Sequence, residues 1–382
     1  MRVGALAVAL IVSGCAAPSV ETAQPQPSAT AQTAAPTASL PPTAEPSAID
    51  VSPDPTLTPA ATTGAQPSPT GTPVGQPAPA PPASAYEFQE YDVPRGSRPH
   101  DVAPAPDGSV WYTAQGSGRL GRLDPQSGEV TEIPLGRGSA PHGVIVGPDG
   151  APWLTDSGLN AIVRVDPISE EVTANPLPGG GRANLNTAAF DGAGTLWFTG
   201  QAGVYGRLVP ATLEVEMFDA PRGAGPYGIC ATPAGAVWFV SLAGSYLGRI
   251  DADTGGAGVF EPPTADQGAR RVWSDSLGRL WISEWNAGRV AMYDPGADEW
   301  REWPLPGADA QPYSVYVDEL DLVWLTDFGS NSLVRFDPAT ETFESFPLPG
   351  VGAAVRQQLG RESELWGAES ANDKLVVLRR AR

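Results

Sequence analysis

The chain has 382 residues, with 23 Lys or Arg against 43 Asp or Glu, and a formal net charge of −20 at pH 7. That acidity, with Lys374 as the sole lysine, argues against nucleic acid or an anionic membrane surface as a partner and suits cations or a neutral or basic ligand. Apart from Cys15, the only cysteine is Cys230, so packing alone must hold the fold.

The N-terminus has the pattern of an export signal. One arginine precedes an apolar run from Val3 to Val12, which is too short to span a bilayer, and Ser13-Gly14-Cys15 follows. We expect residues 1–14 to be a lipoprotein signal peptide and Cys15 to carry the lipid of an exported, membrane-anchored protein. The alternative is a plain signal peptide in which Cys15 is incidental.

A long segment of biased composition follows. Residues 15–85 are dominated by Pro, Ala, Thr, Ser and Gln, and no aromatic residue occurs before Tyr86. Such a segment cannot bury enough apolar surface to offset the entropy of ordering it, so we expect a disordered tether. Residues 86–382 then form one compact domain.

Seven tryptophans mark a repeat in that domain, each in a short β-like run such as "SVWYTA" or "APWLTD". Their spacings are 42, 44, 41, 43, 43 and 42 residues. They are Trp111, Trp153, Trp197, Trp238, Trp281, Trp324 and Trp366. A fixed period of this size, made only of short strands and turns, predicts an all-β, seven-bladed β-propeller with four-stranded blades.

The ends of the chain predict how the ring closes. The last repeat stops after its third strand, "KLVVLRR", and "YEFQEYDVP" at Tyr86–Pro94 resembles an outer strand. We therefore expect the two ends to share the seventh blade, which removes the open edges. The tryptophans are expected to be core between blades and not a ligand cage.

The repeat also places the only two histidines of the chain, which lie in "SRPHDV" and "SAPHGV". Counting from the tryptophans predicts one rim of the central channel. The residues eleven before them are His100, His142, Asn186, Tyr227, Arg270, Tyr313 and Val355. Those three after them are Ala114, Asp156, Gly200, Ser241, Glu284, Asp327 and Glu369. The count predicts that His142 faces Asp156 across the hairpin and that Glu369, His100, His142 and Asp156 form one arc.

Two neutral imidazoles near carboxylates can hold a metal, or one of them can act as a general base. Histidines that line the channel and only hydrogen-bond water or backbone are the alternative. Propeller ligands bind where strand ends and loops converge, so the rim is the expected site of a small-molecule or peptide ligand. The candidate substrate contacts are Arg98, Asn186, Tyr227, Arg270 and Tyr313.

Over residues 86–382 the chain resembles the streptogramin B lyase family, also called virginiamycin B lyases. The shared elements are "PHGV" or "PYGI", "PDG", "WFT" or "WLTD", "GRL" or "VRF", and "PLPG". The resemblance implies a lyase that linearises a cyclic depsipeptide antibiotic by elimination. In that family a histidine removes a proton alpha to a carbonyl, and Mg²⁺ near glutamates stabilises the enolate.

Carried over to this chain, the resemblance implies His142 as the base, His100 as a substrate-orienting residue and Mg²⁺ as the cofactor. The family has a glutamate before the second Pro-His, where this chain has Ala140. Asp156 then matches the remaining family acid as a metal ligand, and Glu369 is the candidate to replace the lost one.

The resulting expectation is a monomeric lyase, anchored by lipid on the outer face of the bacterial membrane and linked to antibiotic resistance. Two alternatives stay open. One is a tethered, non-catalytic propeller that binds glycan, peptide or protein, and the other is a metal-dependent lactone or ester hydrolase.

Overall fold

The structure is a computed structural model that describes residues 79–381. These residues form seven four-stranded antiparallel sheets, which confirms the predicted seven-bladed β-propeller. The predicted signal peptide, Cys15 and nearly all of the predicted tether lie outside the described residues. Within the described part, no helix is long and apolar enough to cross a membrane.

A 3-10 turn at Ala83–Ala85 precedes the strands, which follow in chain order. The first strand and blades 1 to 3 are β1 (Tyr86–Asp92), β2 (Pro99–Pro104), β3 (Val110–Ala114), β4 (Arg119–Leu123), β5 (Val130–Pro134), β6 (Pro141–Val146), β7 (Pro152–Asp156), β8 (Ala161–Val165), β9 (Val172–Pro176), β10 (Leu185–Phe190), β11 (Leu196–Gly200), β12 (Val204–Val209) and β13 (Glu214–Asp219). Blades 4 to 7 contain β14 (Pro226–Ala231), β15 (Val237–Ser241), β16 (Tyr246–Ile250), β17 (Ala257–Phe260), β18 (Ala269–Ser274), β19 (Leu280–Glu284), β20 (Arg289–Asp294), β21 (Glu299–Pro304), β22 (Pro312–Val317), β23 (Val323–Asp327), β24 (Ser332–Asp337), β25 (Thr342–Pro347), β26 (Val355–Arg361), β27 (Glu364–Glu369) and β28 (Lys374–Arg380).

The two ends of the domain close the ring in blade 7, as predicted. Strand β1 pairs antiparallel with β28 along its whole length, from Tyr86 opposite Arg380 to Asp92 opposite Lys374. The sheet order is β1-β28-β27-β26, so the N-terminal strand is outermost. Neither end of the repeat array is left as an unpaired edge.

The packed structure begins before β1. Ala80 and Ala83 contact the apolar cluster between blades 6 and 7, and the Arg335 guanidinium donates a hydrogen bond of 2.6 Å to the carbonyl of Pro81. The last residues of the predicted tether, 79–85, therefore lie against the propeller.

All seven marker tryptophans are buried, with at most 2% of each side chain exposed. Four of them donate the indole N–H to an aspartate of the preceding turn, as in Trp281 to Asp275 at 2.9 Å and Trp324 to Asp318 at 2.8 Å. Buried indoles are normally satisfied in this way. The tryptophans are core residues, as predicted.

Candidate functional site

A β-bulge near the start of every inner strand shapes the channel opening. In blade 1, the two residues His100 and Asp101 together lie opposite the single residue Thr113. The other six blades show the same shift of register. Because a bulge redirects side chains that would otherwise alternate, two successive residues of each strand can reach the channel.

We call the first set of these residues the mouth and the second set the floor. The mouth is His100, His142, Asn186, Tyr227, Arg270, Tyr313 and Arg356. The floor is Asp101, Gly143, Thr187, Gly228, Arg271, Ser314 and Gln357. All floor residues except Gly228 line the enclosed part of the channel below.

Two register predictions are wrong, one because of the bulge and one because of a shorter turn. Asp156 pairs with Pro141 and not with His142, because the bulge adds one residue to the inner strand. In blade 7 the mouth residue is Arg356 and not Val355, because the turn of that hairpin is one residue shorter than in blade 1.

The two histidines lie side by side, as predicted, in a buried cluster with Asp101. The imidazole centroids of His100 and His142 are 3.9 Å apart, with 46° between the ring planes. His100 Nδ1 lies 2.7 Å from Asp101 Oδ1. Arg271 reaches across the channel from blade 5 and places Nη2 3.2 Å from the same oxygen. A carboxylate, two imidazoles and a guanidinium thus form one buried contact cluster.

The hydrogen bonds place the proton of both rings on Nδ1 but leave the two Nε2 atoms in different surroundings. A carboxylate only accepts, so His100 carries its proton on Nδ1 and keeps a lone pair on Nε2. His142 Nε2 lies 3.3 Å from the amide nitrogen of Asn186, which donates, so its proton is on Nδ1. That Nδ1 is buried without a partner. His100 is therefore the ring with a free basic nitrogen.

Burial and nearby cations keep both rings neutral at pH 7. Burial lowers the pKa of His100 well below its usual value, and the positive charges of Arg271 and Arg356 lower it further. Burial, followed by the neighbouring His100, likewise lowers the pKa of His142. Burial raises the pKa of Asp101, and Arg271 opposes that rise. Because Arg271 neutralises Asp101, the carboxylate orients His100 without forcing it to be charged.

The other side of the mouth is aromatic and cationic. The hydroxyls of Tyr227 and Tyr313 are hydrogen-bonded to each other. The guanidinium of Arg270 lies 4.3 Å from the ring centroid of Trp285 and 4.4 Å from that of Tyr313. Phe328 packs on both rings, with centroids 5.4 Å from Trp285 and 5.0 Å from Tyr313.

Of the predicted substrate contacts, four lie in the mouth: Asn186, Tyr227, Arg270 and Tyr313. Arg98 does not. It is an exposed residue of the loop before β2, with a left-handed φ of 45° and its backbone N–H bound to Asp373.

A hydroxyl behind the bulge holds the backbone of the histidine cluster in place. Thr113 Oγ1 accepts a hydrogen bond of 3.0 Å from the backbone N–H of Asp101 and donates one of 2.9 Å to the carbonyl of His142 in the next blade. Thr155 makes the equivalent pair of bonds, to the N–H of Gly143 and the carbonyl of Asn186. These hydroxyls join neighbouring blades at the height of the site.

Neither predicted metal ligand lies in the cluster. Asp156 is fully buried, and its carboxylate accepts hydrogen bonds from Ser139 Oγ and from the N–H groups of Ala140, Gly158 and Leu159. It therefore organises a loop.

Glu369 is also fully buried and accepts a hydrogen bond of 3.0 Å from the side chain of Asn372. Burial raises its pKa. The structure brings neither Glu369 nor Asp156 to the histidines, because each is the last residue of the second strand of its blade and its carboxylate binds groups of the adjacent loop.

The residues present do not fit Mg²⁺. Within residues 79–381, the one group of His, Cys, Asp or Glu close enough to hold a metal is His100, Asp101 and His142, with ligand atoms within 4.8 Å of one another. Mg²⁺ prefers six oxygen ligands, whereas this set offers two nitrogens and one carboxylate. That carboxylate is already paired with Arg271, whose charge repels a dication.

Three site residues escaped the sequence analysis: Asp101, Arg271 and Arg356. The signal for the first was its position directly after His100 in "PHDV", and for the second the double arginine in "ARRV". Both signals depend on the bulge, without which successive side chains point to opposite faces.

Comparisons with known proteins agree with this architecture. The sequence profile of the Virginiamycin B lyase family matches residues 80–299. A virginiamycin B lyase from Nocardia farcinica (strain IFM 10152) is 38% identical over 106 residues, which are 28% of this chain and 36% of that protein. The match thus spans about a third of that relative.

Solved structures share the whole propeller. Virginiamycin B lyase from Staphylococcus aureus is 21% identical with a TM-score of 0.72, over 77% of this chain and 99% of that one. A streptogramin B lyase is 23% identical with a TM-score of 0.72, over 77% and 97%. A catalytically inactive His-to-Ala variant of the Staphylococcus aureus enzyme, solved with quinupristin, is 21% identical with a TM-score of 0.72, over 77% and 99%. At these identities the likeness is one of fold.

Proposed function

The chain belongs to the virginiamycin B lyase family, and from this premise we propose that it is a carbon-oxygen lyase that opens the ester of a cyclic depsipeptide, of the type B streptogramin kind, by β-elimination. The observation that carries the proposal is the pairing of His100 Nδ1 with Asp101 Oδ1 at 2.7 Å, in a ring whose centroid lies 3.9 Å from that of His142 at the channel mouth. A neutral imidazole oriented by a carboxylate is the arrangement that general-base catalysis requires.

We assign the base to His100. Its Nε2 takes the proton from the carbon next to the one that bears the ester oxygen. The electron pair of that C–H bond forms a carbon-carbon double bond, the bond between the neighbouring carbon and the ester oxygen breaks, and the acyloxy group leaves as a carboxylate. No water is consumed, and the proton stays on the imidazolium beside Asp101.

This assignment reverses the roles implied by the resemblance, in which His142 is the base. Both nitrogens of His142 are enclosed, one against Asn186 and one without a partner. Its ring lies against His100 and fixes that ring in place, which makes it a positioning residue. A related enzyme that loses activity when one histidine becomes alanine supports a histidine base in this family but does not decide between the two.

The test compares His100→Ala with His142→Ala on quinupristin in the full chain, with Tyr112→Phe as a control, because the Tyr112 hydroxyl bonds Glu132 of the outer strand β5 and no residue of the cluster. We expect His100→Ala to lower kcat by about two to four orders of magnitude, the usual contribution of a general base. His142→Ala should retain more activity. The assignment fails if His142→Ala is the inactive variant and His100→Ala turns over normally at an unchanged Tm.

We also propose, from the sequence of the N-terminal segment, that the enzyme acts in the cell envelope. Lipidation of Cys15 would anchor it, and residues 16–78 would hold the propeller away from the membrane. Metabolic labelling with a fatty acid tests this: the chain should be labelled and Cys15→Ser should not. A labelled Cys15→Ser variant would contradict the proposed anchor.

A further inference from the structure

Positive charge is concentrated at the mouth of this acidic protein. The net charge is −20, yet Arg270 and Arg356 lie in the mouth and Arg271 in the floor. Asp101 is the carboxylate that pairs with Arg271. Within residues 79–381, the salt bridges include neither Arg270 nor Arg356.

The other acids at these strand ends do not balance this charge. Glu284 is fully buried, and burial raises its pKa to about 8, so it is neutral at pH 7. Asp327 uses its carboxylate to accept the backbone N–H groups of Gln311, Gly329 and Ser330. Among the described residues, neither mouth arginine therefore forms an ion pair with a carboxylate.

Arg270 is held in place by rings instead of by an acid. Its guanidinium lies against Trp285 and Tyr313, Nη1 lies 3.4 Å from the hydroxyl of Tyr227, and Nε is buried without a partner. The guanidinium of Arg356 lies 5.8 Å from the centroid of the same Tyr313 ring. Two guanidinium groups beside one ring, neither of them in a salt bridge of the described residues, can share one anion between them.

We infer that Arg270 and Arg356 form a carboxylate-binding site at the mouth, flanked by the aromatic rings of Trp285, Tyr313 and Phe328. Guanidinium groups match carboxylates because their N–H groups form a fork that can donate two parallel hydrogen bonds. The flanking rings favour a carboxylate that is attached to an apolar or aromatic group.

In the proposed reaction, this site would bind the carboxylate that leaves. Elimination turns a neutral ester oxygen into a carboxylate, and cations that bind the carboxylate more strongly than the ester stabilise its departure. The assignment to the leaving group rests on the proposed function, whereas the binding of a carboxylate does not. The guanidinium groups would thus act on the leaving carboxylate, whereas the resemblance assigns Mg²⁺ to the enolate.

The binding test uses isothermal titration calorimetry of the full chain with phenylacetate, and with the uncharged phenylacetamide as the matched ligand. The variants are Arg270→Gln and Arg356→Gln. The control is Arg249→Gln, because Arg249 also lies against a tryptophan, 5.6 Å from the Trp238 ring, but on the exposed outer part of blade 4.

We expect phenylacetate to bind and phenylacetamide to bind at least about tenfold more weakly, a difference of roughly 1.4 kcal/mol. Each mouth variant should weaken phenylacetate binding about tenfold or more, and Arg249→Gln should leave it unchanged. Equal binding of the two ligands, or unchanged binding by the double variant Arg270→Gln, Arg356→Gln, would overturn the inference. Circular dichroism checks that the variants fold.

The two proposals fail in different ways. If phenylacetate binds through the arginines but quinupristin is not converted, the carboxylate site stands and the proposed lyase reaction does not. If quinupristin is converted and phenylacetate neither binds nor inhibits, the reaction stands and the carboxylate site is refuted.

Discussion

The hydroxyl of Thr113 should be required for both stability and catalysis. Thr113→Val keeps the size of the side chain but removes the acceptor for the Asp101 N–H, at 3.0 Å, and the donor to the His142 carbonyl, at 2.9 Å. Thr113 is fully buried, so water cannot replace either bond. Each orphaned buried group costs about 1–3 kcal/mol, which gives about 2–6 kcal/mol for the pair.

Calorimetry measures the stability loss. At about 2 °C per kcal/mol for a domain of this size, Tm should fall by roughly 4–12 °C. Activity should fall further than the loss of folded protein explains, because the freed backbone of Asp101 and His142 no longer holds the two rings together. Thr113→Ser restores the hydroxyl and should recover most of both properties.

The matched control is Thr326→Val in blade 6. Thr326 accepts a hydrogen bond of 3.0 Å from the N–H of Ser314 and lies far from the histidines in the ring. Thr326→Val should lower Tm about as much as Thr113→Val does but leave kcat unchanged. NMR of the two imidazoles gives a second measurement, since the chain has only two histidines, and Thr113→Val should shift their titration. An unchanged Tm, or equal losses of kcat in the two variants, would refute the reasoning.

Three further predictions follow from the charges. Because the pKa values of His100 and His142 are lowered, kcat/KM should stay level as the pH falls through 6.5 and drop only below that pH. Below about pH 6.5 the unfolded chain binds more protons than the folded chain, so the free energy of unfolding should also decrease on acidification. Glu284 has a pKa raised to about 8, so the folded chain holds its proton more tightly than the unfolded chain and the free energy of unfolding falls as the pH rises from about 4.5 to 8. Glu284→Gln should remove this pH dependence and raise the free energy of unfolding by about 1–3 kcal/mol at pH 7. An unchanged pH dependence of stability in urea titrations would contradict this prediction. Asp156→Ala should lower Tm by several degrees without altering the effect of EDTA on turnover. An intact Tm, with EDTA-sensitive turnover that needs more Mg²⁺ in the variant than in the wild type, would make Asp156 a ligand.

The fold could be predicted because one local signal repeats. A buried tryptophan in the second strand of every blade fixes the blade period, and the period places the starts of the inner strands on one rim. For the same reason the neighbouring positions of His100 and His142 followed from the sequence.

The chemistry around the histidines could not be predicted in the same way. Strand alternation places Asp101 on the face opposite His100, and only the bulge brings both to the channel. The partner of Asp101 is Arg271, 170 residues away, which only the closed ring brings across the channel. Asp156 looked like a ligand because it is an acid at a strand end, but loop N–H groups occupy its oxygens.

The most direct test of the account is the mass of the product formed from quinupristin by the full chain, measured with Mg²⁺ and with EDTA. Elimination predicts a product of unchanged mass and altered retention, formed in both conditions and lost in His100→Ala. A product heavier by one water molecule would mean hydrolysis, and no conversion in either condition would contradict the proposed lyase and favour a binding propeller.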